Sequence, residues 1–427
     1  MSNLSFISQN PLSEPGSWVA RITVQRQISP WRLLYALTTL SLLASTSQVE
    51  ILAQIGSYLK IVCVGLLGLT ALAQRRLGSV QLHPWSKISF RVLWIIVAVG
   101  FFSALWSVNR LETITQSGTL AVFFLWLHLT TLKRWSRVGL IISDLRVAFW
   151  SVWSVVAAGF LAGQLGLLEP YSSYSGRYMG FFNNPNLTAM TAALSAAFGV
   201  VLGLRQRRWI MVASTSLLLY VVFESESRTS LLALAACFGF MMLRRWPVLA
   251  LAVPVIAIMA PAFSRVFLSA PDEGALSRIA STSEDETLSG RRAGWVAALE
   301  LLGDGRLGVG WGATREALSI EAMEGAGPNL SSIHNSYLQN IYELGWIGAI
   351  ASLLIVILLT VFVVLTRRPG AYDPLVSVVI VGSIISLAES PLFGVGQVFP
   401  YIFWTAYFGA LCLSARAGRW VDKTDPR

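Results

Sequence analysis

Charged residues are scarce in this chain. Asp, Glu, Lys and Arg make up 13% of the 427 residues, whereas hydrophobic residues make up 55%. Soluble domains carry about 25% charged residues, so the composition excludes an ordinary soluble protein. A transmembrane helix needs about 20 mostly apolar residues, and a chain of this length has room for many. The sequence therefore predicts a polytopic membrane protein.

Cysteine and histidine are also rare, with three of each. Cys63, Cys237 and Cys412 are far apart and fall in apolar segments, so they form neither a disulfide framework nor a metal-binding motif. The sequence has no nucleotide phosphate loop of the Walker type. It also has no closely spaced pair of carboxylates that suggests a metal-dependent sugar-nucleotide transferase. We therefore expect no metal and no cofactor.

Long apolar runs define the organisation of the chain. They predict an all-α polytopic membrane protein with about twelve transmembrane helices and one large hydrophilic loop, at residues 264–336. The apolar segments are 33–47, 51–73, 92–106, 114–132, 147–168, 187–204, 209–223, 229–243, 247–263, 341–365, 375–387 and 398–413.

The distribution of charge predicts the orientation. The net charge is +10, and most Lys and Arg residues lie in alternate connections and in the two tails. Positive residues mark cytoplasmic loops, so both termini should be cytoplasmic and the large loop should face the other side. This signal accounts for the basic balance, and we expect no nucleic-acid partner. The predicted parts are a tail at 1–31, helices one to nine at 32–263, the loop at 264–336, helices ten to twelve at 337–414, and a tail at 415–427.

The large loop contains two patterns. Residues 290–302 have apolar side chains at positions 295, 296, 299 and 302, a spacing that predicts an amphipathic helix on the membrane surface. Residues 303–312 include five glycines, which could let the backbone approach a ligand closely or could form a loose connector. The loop therefore combines a helix with a glycine-rich segment.

His334 is the candidate base. It stands where the large loop meets the tenth apolar segment, and an imidazole there can transfer protons near neutral pH. We expect it in the first turn of the tenth helix, with Tyr337 one turn on and on the same face. His83 lies in a predicted cytoplasmic connection and His128 within a predicted span. A purely structural histidine is the alternative.

Several arginines lie on the same predicted side as His334. Guanidinium groups bind phosphate oxygens in a bidentate manner and stay charged at any relevant pH. For each one the alternative is an interfacial anchor or an ion pair with a nearby glutamate. Lys60 stands within a span, where a charge is costly and often functional, and its partner is not evident. The main candidates are Arg177, Arg228, Arg265, Arg291 and Arg292.

An ordered set of short motifs resembles the O-antigen ligase and polysaccharide polymerase superfamily of bacterial inner membranes. The resemblance covers most of the chain. Each motif is weak alone, but the order and the long loop before the tenth segment are fairly specific. The motifs are Phe101-Phe-Ser-Ala-Leu-Trp-Ser-Val-Asn109, Gly180-Phe-Phe-Asn-Asn-Pro-Asn186, Ser227-Arg-Thr-Ser-Leu-Leu232, Ser289-Gly-Arg-Arg-Ala-Gly-Trp295, Leu307-Gly-Val-Gly310, His334-Asn-Ser-Tyr-Leu-Gln339 and Glu343-Leu-Gly345.

The resemblance implies a GT-C-like helical membrane fold and metal-independent, inverting glycosyl transfer at the periplasmic face. The donor would be a glycan on undecaprenyl diphosphate, and the acceptor a hydroxyl of the lipid A-core oligosaccharide or of another lipid-linked glycan. The resemblance implies that His334 acts as base, with Arg228 and Arg291 at the diphosphate. The further substrate-binding candidates are Arg292, Arg177, Asn186, Tyr337 and Arg265.

The member of the superfamily stays open. A single large loop favours an O-antigen ligase of the inner membrane over a polymerase, which is expected to have two arginine-bearing loops. In contrast, the spacing of Arg292 and Gly303 and the motif Leu105-Trp-Ser-Val108 resemble polymerases of exopolysaccharide. A protein O-glycosyl transferase and a transporter of lipid-linked sugar are further alternatives. The expected partners are the lipid-linked glycan, the acceptor and membrane lipids, with the oligomeric state undecided.

Overall fold

The computed structural model describes residues 29–73, 84–135, 138–173, 175–245, 291–303, 307–323, 332–366, 370–394 and 396–424. Within these ranges the chain is helical, without a strand, and two isolated bridges join Ser47 to Phe182 and Tyr171 to Tyr178. The helices are α1 Pro30–Ala44, α2 Glu50–Ala73, α3 Pro84–Phe102, α4 Arg110–Lys133, α5 Val138–Gln164, α6 Pro185–Gln206, α7 Trp209–Glu224, α8 Arg228–Arg245, α9 Arg291–Gly303, α10 Thr314–Met323, α11 Ser336–Leu344, α12 Trp346–Leu365, α13 Asp373–Ile385 and α14 Val398–Thr424.

Helices occupy the predicted apolar segments wherever the structure describes them, and the ninth segment, 247–263, lies outside the described residues. Among the described residues, five helical stretches are long and apolar enough to cross a membrane. This confirms an all-helical, polytopic membrane protein, while the number of twelve spans stays a prediction. The five stretches are Glu50–Ala73, Pro84–Leu105, Gly139–Gln164, Pro185–Arg205 and Trp346–Leu365.

The tenth predicted segment is broken in two. We expected one helix from residue 341 onward, but α11 ends at Leu344 and the candidate span begins at Trp346. Gly345 lies between them with φ +59° and ψ −134°, a conformation that glycine adopts at low cost. Gly348 of α12 lies directly against the Asn340 carbonyl group, so the two helices fold onto each other. Helix α11 is therefore a short element at the end of the bundle.

Helix α6 lies in the centre of the bundle. In the most apolar part of Pro185–Arg205, 83% of the residues are buried. Small side chains such as Ala193 and Ala197 let neighbouring helices approach closely. Gly199 lies against Phe149, and Gly382 of α13 lies against Phe403 of α14. This close packing makes α6 a rigid support for the residues at its first turn.

One end of the bundle carries buried ion pairs. The Arg134 guanidinium donates two hydrogen bonds of 3.0 Å to the Asp144 carboxylate, which also accepts the indole N–H groups of Trp31 and Trp135 at 3.2 Å. Asp373 lies between Arg205 and Arg244, at 3.4 and 3.2 Å. These groups belong to the basic connections that the charge pattern assigns to the cytoplasm.

The glycine-rich segment packs against its own chain. A Cβ atom on Gly308 would lie 2.6 Å from the Glu343 carbonyl carbon, and one on Gly312 would lie 2.6 Å from Gln116 Cγ. Backbone hydrogen bonds join Val309 to the Tyr342 and Val108 backbones at 3.1 and 3.0 Å. The close approach that these glycines allow is thus to α11 and to the start of α4. Three of the motifs, at 101–109, 307–310 and 343–345, meet here.

Helix α9 has two apolar sides. Ala298 is fully buried with Leu318, Ile333 and Tyr342, and Trp295 packs beside them. In contrast, Leu299 is 52% exposed. The prediction that the whole apolar face lies on the membrane surface is wrong for Trp295, because that side chain packs against α10 and α11. The exposed side remains available to the membrane.

Candidate active site

His334 lies just outside a helix. We expected it in a first helical turn with Tyr337 on the same face, which is wrong because α11 begins at Ser336. The backbone of His334 has φ +53°, in the left-handed region that few non-glycine residues adopt. Its N–H group donates to Ser332 Oγ at 3.2 Å. A conformation of this kind persists only where the surroundings enforce it, and it occurs often at functional sites.

The neighbour of His334 fixes this conformation. Asn335 is the N-cap of α11, and its Oδ1 atom accepts the backbone N–H groups of Tyr337 and Leu338 at 2.9 and 3.0 Å. Its Nδ2 atom donates to the Leu387 carbonyl at 2.7 Å, and its backbone N–H donates to Ser390 Oγ at 2.9 Å. The start of α11 is therefore attached to the connection between α13 and α14.

That connection supplies a carboxylate that our sequence analysis missed. Glu389 Oε2 lies 3.1 Å from His334 Nδ1, and the side chains are 6% and 29% exposed, respectively. Between Asp373 and Asp422 the sequence has no other acid, and an isolated acid within an apolar stretch is a functional candidate. The sequence thus held a signal for Glu389, but nothing in it indicated that this acid meets His334.

Two of the predicted site residues extend the hydrogen-bond network from Glu389. Asn186, in the first turn of α6, donates from Nδ2 to Glu389 Oε1 at 3.0 Å. Its Oδ1 atom accepts a hydrogen bond of 2.7 Å from Arg177 Nη2. The structure therefore brings Arg177, Asn186 and His334 together around Glu389, although these residues come from three distant parts of the sequence.

Arg228 follows a turn that is bonded to Arg177. It is the first residue of α8 and is half-buried. The turn before it is attached to the loop of Arg177, because Arg177 Nε donates to the Ser225 carbonyl at 2.8 Å. The Tyr178 N–H group donates to the Glu224 carbonyl at 3.2 Å. Arg228 therefore stands at the same end of the bundle as His334.

The structure describes the remaining candidate arginines only in part. Helix α9 begins at Arg291, and the structure describes no side-chain position for Arg291 or Arg292. Arg265 lies outside the described residues. One turn after Arg291, the Trp295 indole donates to the carbonyl of Ile333, the residue before His334, at 3.0 Å. The face of α9 that carries Trp295 is thus turned toward the His334 segment.

Tyr337 and Lys60 lie apart from this network. Tyr337 packs against the main core, and burial raises the pKa of its phenol to about 12. Lys60 Nζ donates to the Gly396 carbonyl at 3.4 Å, which identifies the partner that the sequence did not. Across the described parts of the chain, His, Cys, Asp and Glu side chains form no group of three suited to a metal ion.

A comparison with protein families supports the relation that the motifs suggest. Residues 213–353 match the family model Wzy_C, described as O-antigen ligase. The matched range contains Arg228, Arg291 and His334, and it extends into α12. Arg177, Asn186 and Glu389 lie outside it.

Proposed function

We propose that the chain is an O-antigen ligase, a proposal supported by the match of residues 213–353 to the family model described as O-antigen ligase. In this proposal it moves a glycan from undecaprenyl diphosphate to a hydroxyl of the lipid A-core oligosaccharide, at the periplasmic face of a bacterial inner membrane. Both termini are then cytoplasmic, and the end of the bundle with His334 faces the periplasm. The buried basic end faces the cytoplasm, in agreement with the positive-inside rule.

The observation that carries this proposal is the contact between His334 and Glu389. A carboxylate 3.1 Å from Nδ1 favours the tautomer that has its proton on Nδ1. The Nε2 lone pair is then free to accept a proton from an acceptor hydroxyl. The His334 side chain is 29% exposed, so a substrate can reach the imidazole. A histidine held by a buried carboxylate is the arrangement that general bases use in other enzymes.

The reaction needs one base and a stabilised leaving group. The acceptor oxygen forms a bond to the anomeric carbon as its proton moves to His334 Nε2. The bond from the anomeric carbon to the phosphate oxygen breaks, and its electron pair stays on the diphosphate. Glu389 stabilises the imidazolium that forms, and arginines stabilise the charge on the leaving group.

Arg228 and Arg291 bind the diphosphate in this proposal. Arg228 opens α8 beside the turn that holds Arg177. We assign this role to Arg291 rather than Arg292 from the sequence spacing: Arg291 precedes Trp295 by one helical turn, and the Trp295 indole binds the His334 segment. Arg292 precedes Val296 by the same spacing, and Val296 is 42% exposed. Arg292 and Arg265 are then secondary contacts to the glycan.

The test is a reconstituted transfer reaction with purified protein, undecaprenyl-diphosphate glycan, rough lipopolysaccharide and EDTA. We expect glycan on lipopolysaccharide. General base catalysis contributes roughly 10²- to 10⁴-fold and one charge-stabilising donor a similar factor, so His334→Ala and Arg291→Ala should be comparably slow. The transfer rate of Arg292→Ala should fall much less. His128→Gln is the matched control, since His128 lies in α4 and contacts Trp94.

Each result has a separate meaning. Growth of longer lipid-linked chains without lipopolysaccharide would make the protein a polymerase. No transfer under either condition would favour a transporter of the lipid-linked glycan. Full activity of His334→Ala would exclude the mechanism even if the ligase reaction is found.

A further inference from the structure

Asn186 lies between two charged groups of opposite sign. Its Oδ1 atom accepts from the Arg177 guanidinium at 2.7 Å, and its Nδ2 atom donates to the Glu389 carboxylate at 3.0 Å. The opposite amide orientation would turn N–H toward a cation and C=O toward an anion. The charges therefore fix the amide in one orientation, and both ends of the side chain are used.

The carboxylate of Glu389 is held at both oxygens. Oε1 accepts from Asn186, and Oε2 faces His334 Nδ1 at 3.1 Å. The side chain is 6% exposed, so water offers it little alternative. The position of Glu389, and with it the tautomer of His334, thus depends on the donor that Asn186 supplies. Asn186 is suited to this because its first-turn backbone N–H is fixed by Asn184 Oδ1 at 2.8 Å and α6 is deeply packed.

We propose that Asn186 is a positioning residue that joins Arg177 to Glu389 and thereby holds His334 in its Nδ1-protonated tautomer. In this inference Asn186 acts through Glu389 and does not contact the glycan. Arg177 is a positioning residue as well, because its guanidinium orients the amide and its Nε atom binds the Ser225 carbonyl near Arg228. The effect of Asn186 on catalysis rests on the proposed function. The predicted tautomer of His334 does not depend on that function.

The first experiment observes the imidazole directly. The chain has three histidines, so protein labelled with ¹⁵N-histidine gives a simple solid-state NMR spectrum in lipid, and His334→Gln identifies the relevant signals. In the natural sequence we expect neutral His334 to carry its proton on Nδ1. Asn186→Asp keeps the shape but removes the donor, and Asn186→Leu removes both polar groups. Both should shift His334 toward the Nε2-protonated tautomer.

The matched control is Asn183→Asp, in the same loop with an exposed side chain, which should leave the His334 signals unchanged. An unchanged tautomer in Asn186→Asp and Asn186→Leu would overturn the inference, whatever the transfer assay shows. A shifted tautomer in a protein without transfer activity would support the positioning and count against the proposed function.

The second experiment separates kcat from KM. Loss of an orienting partner typically costs about 10- to 100-fold, so Asn186→Leu should lower kcat in that range. The KM for the lipid-linked donor should change by less than about threefold, because uniform binding is not lost. The double variant Asn186→Leu with Glu389→Gln should be no slower than Glu389→Gln alone, since both changes remove one function. Direct contact between Asn186 and the donor would instead raise the KM, and the losses of rate in the two single variants would multiply in the double variant.

Discussion

Gly310→Ala tests the packing that supports α11. Gly310 has φ +102°, and a Cβ atom there would overlap the Ser107 side chain and lie 2.8 Å from Ser107 Cα. Its N–H group donates to the Glu343 carbonyl at 2.9 Å. The substitution therefore pushes α11 away from the start of α4.

The expected cost has two parts. A non-glycine residue in a sparsely populated backbone region costs about 1–3 kcal/mol. Overfilling a packed site costs about 1–3 kcal/mol more. Together they predict that the free energy of unfolding falls by about 2–6 kcal/mol, a large fraction of the stability of most proteins. Helix α11 begins two residues after His334, so the loss of stability should be accompanied by slower transfer.

The assay is thermal unfolding in detergent together with the transfer rate. Gly303→Ala is the control, because a Cβ atom there contacts nothing within 4 Å. In a Ser107→Gly background, which lacks the overlapping Oγ and Cβ atoms, Gly310→Ala should cost less than in the original protein; this recovery is partial, because the contact with Ser107 Cα and the backbone conformation remain. A Gly310→Ala protein as stable as the original, or a double variant without recovery, would refute this account.

Two further predictions concern buried acids. Asp144→Asn leaves Arg134 without its anionic partner in the interior, and removal of one partner from a buried pair costs about 3–5 kcal/mol; an unchanged unfolding midpoint would contradict this. Burial raises the pKa of Glu343 above its ordinary value of 4.5, despite hydrogen bonds from Thr314 and Gln339. The unfolded carboxyl then ionises first as the pH rises, so this group's contribution to stability is present at low pH and is lost between 4.5 and the raised folded pKa. Glu343→Gln should flatten the stability curve in that window, and an unchanged pH dependence would count against it.

Local patterns predicted the helices well. Long apolar runs specify spans because every backbone group in lipid must be bonded within its own helix. The break at Gly345 was missed, since Leu344, Trp346 and Ile347 continue the apolar run and only the backbone angles reveal the bend. Periodicity placed α9 but could not show which apolar side packs against α10.

The candidate site was predictable in part. Residue chemistry selected His334 and Arg228, and the motif at 180–186 included Asn186. The meeting of His334 with Glu389 depends on pairing between residues 55 positions apart, through hydrogen bonds from Asn335 and Ser336 to the connection after α13. Sequence spacing carries no information about such a contact. Arg177 was selected for a phosphate, whereas its guanidinium binds Asn186 and a backbone carbonyl.

Helix α11 is fastened at both ends by other parts of the chain. Its start is bonded to the connection after α13, and the carbonyl groups of Tyr342 and Glu343 near its end are bonded to Val309 and Gly310. The position of His334 therefore depends little on how many residues join α10 to Ser332. Lengthening a connection costs little, about 0.6 kcal/mol for each doubling. The length of this connection can therefore change while His334 stays paired with Glu389.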